Sequence, residues 1–172
     1  MLLNMHEKKI DLFSKEYYNM KNNPTELIGG TPLLKLNSLK KEGRADIYVK
    51  VEKNNLAGSI KDRIALYMIV EAEKSGKLKK GGTIVEPTSG NTGVALAALA
   101  AAKGYKLILT MPASMSIERA KLAMAYGAKV IRTTEGALQG AVDKAKELAE
   151  ENGYFLPDQF SNPANIKAHY ET

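Results

Sequence analysis

The chain has 172 residues, 44% of them hydrophobic and 26% charged, with a formal net charge of +6; this is the balance of one globular domain able to bury its own core. It has no cysteine and only two histidines, His6 and His169, which excludes disulfides, thiolate metal sites and a cysteine nucleophile. A histidine metal site or a Ser-His-Asp triad has little to draw on. The lysines gather in short runs such as "KSGKLKK" from Lys74, which read as solvated basic surface suited to anionic small substrates or an acidic partner tail. No aromatic interleaving or reader motif points to nucleic acid.

Residues 1–23 read as an N-terminal extension. Met1–Leu3 is the only early apolar run, and the charged residues that follow lack the pattern of a signal peptide. No window is apolar for long enough to cross a membrane, and the absence of cysteine suits a cytoplasmic setting. From Asp46 onward, strands and helices alternate. "DIYVKVEKN" is rich in β-branched and aromatic residues and predicts a strand. "SIKDRIALYMIVEAEKSG" carries apolar residues at helical spacing as far as Gly76. "GTIVEPT", "YKLILTMP" and "AKVIRTT" predict further strands; "NTGVALAALAAAKG", "SIERAKLAMAYG" and "GALQGAVDKAKELAEENG" predict helices ending at Gly104, Gly127 and Gly153. "YFLPDQF" predicts one more short strand before "SNPANIKAHYET". The alternation implies an α/β fold, a parallel twisted sheet with helices on both faces. Ligands of such sheets bind outside the carboxyl ends of the strands. That places "NNLAGSIKDR", "EPTSGNTG", "MPASMS", "TTEG" and "PDQFSNPAN" along one rim.

Two of these loops break local rules. In "EPTSGNTG", Thr88, Ser89 and Thr92 offer hydroxyls at the head of a helix whose first amides lack internal partners, and Gly90 and Gly93 allow close approach to the backbone. Such a turn suits an anionic group, phosphate or carboxylate; the plain alternative is a capped turn with Ser89 or Thr92 as N-cap. In "GSIKDRIA", Ser59 and Asp62 resemble a capping box, and Lys61 falls in the first helical turn. The positive end of the helix disfavours a cation there and favours the neutral amine that forms Schiff bases with aldehydes. The plain alternative is a lysine that reaches water or pairs with Asp62.

Together "LIGGTPLLKLN", "KNNLAGSIKDR", "EPTSGNTG", "MPASMSIERAKLAMAYGAKVI" and "DQFSNPANIKAHYET" resemble the cysteine synthase (O-acetylserine sulfhydrylase) family, from about Pro24 to Thr172. The resemblance implies a tryptophan synthase β-like fold, pyridoxal 5'-phosphate as cofactor, and β-replacement on an activated serine: O-acetylserine plus sulfide giving L-cysteine and acetate. It makes Lys61 the catalytic lysine that binds the cofactor, and Asn91 the residue that contacts the cofactor's phenolic oxygen. Thr88, Ser89, Thr92 and Gln159 become the residues that grasp the substrate carboxylate, so the family favours carboxylate over phosphate at that turn. Residues 107–151 resemble the part of the family that moves on closure. The family is commonly dimeric and binds the C-terminal tail of serine acetyltransferase.

Residues 24–172 correspond to the family's N-terminal domain and the start of its second domain. The remainder of the second domain, with the glycine-rich loop for the cofactor's phosphate, is not represented, so the isolated chain is expected to be inactive or nearly so. Two departures stand out: Asn55-Leu56-Ala57-Gly58 replaces a commoner Asn-Pro before the lysine-loop glycine, and "IGGTP" replaces "IGNTP". They leave room for a cystathionine β-synthase-like enzyme, or for one that forms lanthionine or releases hydrogen sulfide from cysteine. Two readings of other classes remain: a non-catalytic module binding a serine acetyltransferase tail, and a flavodoxin-like nucleotide-binding domain. His169 reads as structural.

Overall fold

A computed structural model describes residues 21–134 and 138–172. Most of the expected extension over 1–23, His6 with it, and the expected helix start at Gly136 lie outside the described residues.

The first departure from the sequence-based topology comes early. "DIYVKVEKN" does not join the parallel sheet. Its central residues form β2 (Tyr48–Lys50), which pairs antiparallel with β1 (Leu33–Lys35), Leu34 standing opposite Val49. The twelve residues between them contain only one turn of 3-10 helix, at Asn37–Leu39, and no longer helix to carry the crossover that parallel neighbours usually use. A second such turn at Glu52–Asn54 ends the strand and leads into the loop before α1 (Lys61–Lys74).

The parallel sheet has the order β3 (Thr83–Pro87), β4 (Lys106–Pro112), β5 (Lys129–Thr133), with Val85 opposite Ile108 and Leu109 opposite Val130. Strand side chains alternate between faces. Leu107, Leu109 and Met111 join the main core with Leu96 and Leu99 of α2 (Asn91–Lys103) and with Ala120 and Ala123 of α3 (Ile117–Ala125). Thr110, on the other face, donates to the Ala141 carbonyl of α4 (Leu138–Asn152) at 2.7 Å. Helices therefore cover both faces, as the alternation implies. Alanine dominates α2, and Thr92 through Ala100 are buried without a break. A helix apolar all round belongs inside, and its small side chains let it lie close to the sheet. It ends at Gly104 with φ 75°, the left-handed conformation that glycine adopts without strain.

The expected strand "YFLPDQF" shrinks to a single bridge, Phe155 beside Ile84. Pro157 has no N–H with which to extend a ladder, and the amides of Asp158 and Gln159 are taken by the Glu86 carboxylate instead. The chain thus runs outward from β3 to β5, returns through α4, and re-enters on the far side of β3. It ends in α5 (Pro163–Glu171), which packs on α1 through Ile64, Met68, Ala164 and Ala168. That reversal places a topological switch at the carboxyl end of β3, the position where open α/β sheets hold ligands.

Candidate functional site

The turn after β3 and the segment after Phe155 meet at this switch. Thr92 donates its hydroxyl to Gln159 Oε1 at 2.7 Å, a buried bond between residues 67 positions apart. Thr88 is buried, and its hydroxyl accepts from the Gly90 amide at 3.3 Å; Ser89 is half-buried and Asn91 is exposed. The N-cap of α2 is Gly90, with no side chain capping the helix. The plain alternative of a turn capped by Ser89 or Thr92 therefore does not hold, and Thr92 gives its hydroxyl to Gln159. The Gly93 amide bonds back to the Gly90 carbonyl at 3.1 Å, which leaves the Asn91 and Thr92 amides of a 13-residue helix to an external acceptor, with the positive end of the dipole behind them.

The two glycines of the turn differ in purpose. A Cβ at Gly90 would meet nothing within 4 Å, so this position does leave the backbone approachable. At Gly93 a Cβ would stand 2.9 Å from Thr88 Cγ2 and 3.0 Å from Leu109 Cδ1. Gly93 therefore serves packing between turn, helix and β4, not ligand access. Gly93→Ala is expected to destabilise the chain by about 1–2 kcal/mol, overpacking outweighing the gain in helix propensity. Gly90→Ala is expected to stay within about 0.5 kcal/mol of wild type. Urea unfolding of both variants checks the contrast.

Lys61 is the first residue of α1, a helix that packs against α2. It is half-buried, and among the described residues its amine has neither a hydrogen-bond nor a salt-bridge partner. The anticipated pairing with Asp62 does not form. The fully buried Asp62 carboxylate instead accepts from the Ala57 amide at 2.5 Å and from the Ser59 hydroxyl at 3.2 Å. Ser59 Oγ in turn accepts from the Lys61 amide at 3.1 Å. The expected capping box is thus a looser clasp, with Ile60 as N-cap and the carboxylate reaching back five residues. Burial pushes the Asp62 carboxyl above the ordinary range, opposed by the Ala57 and Ser59 bonds.

A second network shapes the same loop from behind. Arg63, 2% exposed, donates from Nε and Nη2 to the two carboxylate oxygens of Glu52, both at 2.8 Å, and from Nη2 to the Thr31 hydroxyl. Asn55 donates to Glu52 and to the Ser59 carbonyl, and accepts from the Gly29 amide. The Arg63 guanidinium holds the Glu52 carboxyl down to about 2. "IGGTP" thus has a structural reason: Thr31 joins this network, and Gly30 has φ 56°, a conformation that asparagine tolerates best after glycine. Leu56 and Ala57, the other departure, pack against the main core.

Sequence reasoning missed Glu86 as well as this network. Glu86 is 1% exposed and accepts from the amides of Asp158 at 3.0 Å and Gln159 at 3.3 Å. Burial pushes its carboxyl up to about 7, against the opposing pull of those two amides. A glutamate inside an otherwise apolar strand, "TIVEP", was the available signal. His169 lies exposed in the last turn of α5. Among the described residues no helix is long and apolar enough to cross a membrane, and no cluster of metal-ligating side chains occurs.

Known proteins are similar to this chain in sequence and fold. A cysteine synthase of Staphylococcus aureus (strain N315) is 57% identical over 149 residues, covering 86% of this chain and 48% of that protein. The crystal structure of an O-ureido-L-serine synthase superposes with a TM-score of 0.85 at 46% identity, over 89% of this chain and 48% of its own. A hydrogen sulfide-producing enzyme from Fusobacterium nucleatum superposes at 0.83 with 49% identity, over 89% and 50% respectively. The chain spans about half the length of the curated relatives it matches. The family model for pyridoxal-phosphate dependent enzymes matches residues 24–172, and the chain belongs to that family.

Proposed function

We propose that this chain supplies the lysine and the carboxylate-binding turn of an enzyme of β-replacement, converting O-acetyl-L-serine and sulfide to L-cysteine and acetate. The observation that carries this reading is the uncapped head of α2 beside the Thr92–Gln159 pair. The residues present fit the cofactor that the family requires: the half-buried Lys61 amine lacks a partner among the described residues, and the exposed Asn91 carboxamide sits at the open helix head. Lys61 would hold pyridoxal phosphate and Asn91 would contact its ring oxygen. When bound, that group supplies an electron sink for the α-carbon.

The chain's own residues account for the rest. The amides at the head of α2, with the hydroxyls of Thr88, Ser89 and Thr92 and the Gln159 carboxamide, bind and orient the substrate carboxylate. That fixes the α-carbon, and the Lys61 amine takes and returns its proton. Movement of residues 107–151 over the bound carboxylate would exclude water. Homodimer assembly, a cytoplasmic setting and recognition of a serine acetyltransferase tail belong to the same proposal. The net charge of +6 supports the last of these. The hydrogen sulfide-producing and O-ureido-L-serine relatives favour a second reading in which the same site takes another β-substituent or nucleophile, with cysteine as a sulfide donor.

Titration of the ¹⁵N-labelled chain with L-serine tests the carboxylate turn. The amides of residues 89–92 are expected to shift saturably, and Thr92→Val to weaken binding by about tenfold, the loss of one hydrogen bond to a charged group. Absence of saturable shifts at those amides with L-serine would contradict the carboxylate turn.

A further inference from the structure

Gln159 reaches Thr92 from a segment with little to fix it to the sheet. Strand pairing stops at Phe155, which exchanges bonds with Thr83 and Val85, and Pro157 cannot donate. Beyond that point the segment is tied mainly to the head of α5. Asn162 donates to the Pro157 carbonyl at 2.8 Å, and Asn165 donates to the Gln159 carbonyl at 2.8 Å. These bonds tie the segment to α5, which packs on α1 and not on β3, so they place it against the strand only indirectly.

The Glu86 carboxylate makes that connection. It sits in β3, 1% exposed, and its two oxygens separately accept the amides of Asp158 and Gln159. Asp158 is the one non-glycine residue with positive φ among those described, at 49°, a conformation kept only where the surroundings impose it. A buried carboxylate costs a great deal to desolvate unless it is hydrogen-bonded, and an apolar side chain would fill this strand position at no such cost. The geometry points to Glu86 as a positioning residue of the site: its carboxylate pins the 158–159 backbone to β3, so that Gln159 meets Thr92 and completes the carboxylate-binding turn. This rests on the carboxylate reading given above; Glu86 itself acts through Gln159 and not on substrate.

Hydrogen exchange and L-serine titration of the whole chain test the pin. In Glu86→Gln one amide loses its acceptor and faces a donor, so exchange at 158 and 159 is expected to rise about tenfold or more, with Phe155 and the interior of α2 unchanged. Gln159→Ala removes the side-chain link and spares the pin, so both amides should stay slow; this variant decides the matter even if Glu86→Gln does not fold. L-serine affinity should fall about tenfold in each variant and no further in the double variant, because both act through one group. Wild-type exchange at 158 and 159 in Glu86→Gln, loss of protection in Gln159→Ala, or additive losses of affinity would each overturn the proposal. Wild-type chain that ignores L-serine would sink the carboxylate reading, while the exchange comparison would still decide whether Glu86 is the pin.

Discussion

Arg63→Ala is expected to destabilise the chain by about 3–5 kcal/mol, the range for removing one partner of a buried ion pair. Both partners are well placed for a loss of that size. Arg63 is 2% exposed, the Glu52 side chain is 18% exposed, and their two bonds form a bidentate pair. Without the guanidinium, Glu52 keeps only the Thr31 and Asn55 donors. The same pair gives a pH dependence whose sign is fixed. Arg63 holds the Glu52 carboxyl down to about 2, well below the ordinary carboxylate range, so its contribution is present above that ordinary range and lost as pH falls through about 2. Glu52→Gln with Arg63→Met should cost less than Arg63→Ala alone, since no charge is then left unpaired. Urea unfolding at pH 7 and pH 3 compares all three.

Asp62→Ala is expected to cost about 2 kcal/mol or more and to loosen the loop that presents Lys61. Two donors lose their acceptor at once, the Ala57 amide and the Ser59 hydroxyl, and each partly buried orphan costs about 1 kcal/mol or more. Asp62→Asn should recover most of the loss. The asparagine oxygen still accepts from the Ala57 amide, and its nitrogen faces the Ser59 hydroxyl, which can accept. Unfolding curves give the stability. Exchange at residues 57–61 reports the loop, with faster exchange expected in Asp62→Ala and near-native rates in Asp62→Asn.

Much of this architecture is legible in the sequence because it is local or periodic. Helical spacing and terminal glycines mark α1 to α4, and Gly76, Gly104, Gly127 and Gly153 all take positive φ. The parallel strands show as short β-branched runs, and the carboxyl-end rule brings Thr92 and Gln159 to one rim before any contact is known. What the sequence conceals is long-range pairing of single polar residues. Arg63, Glu52 and Thr31 meet across separations of 11 and 32 positions, and no period announces them. β2 carries the composition of a parallel strand and differs only in its neighbour, which is a matter of chain reach. The sequence leaves the head of α2 open between a capped turn and an anion site, because Thr92 has two possible partners. The distant one, Gln159, becomes visible only when the chain has doubled back past β3.

The half-buried amine at the head of α1, without a partner among the described residues, supports Lys61 as the cofactor-binding lysine. The most direct test of that role is to incubate the purified chain with pyridoxal phosphate, reduce with borohydride, and locate the modified lysine by mass spectrometry. Selective modification of Lys61 is expected, abolished in Lys61→Ala and diminished in Asp62→Ala. Modification scattered over the exposed lysines, with Lys61 no more reactive than the rest, would contradict it.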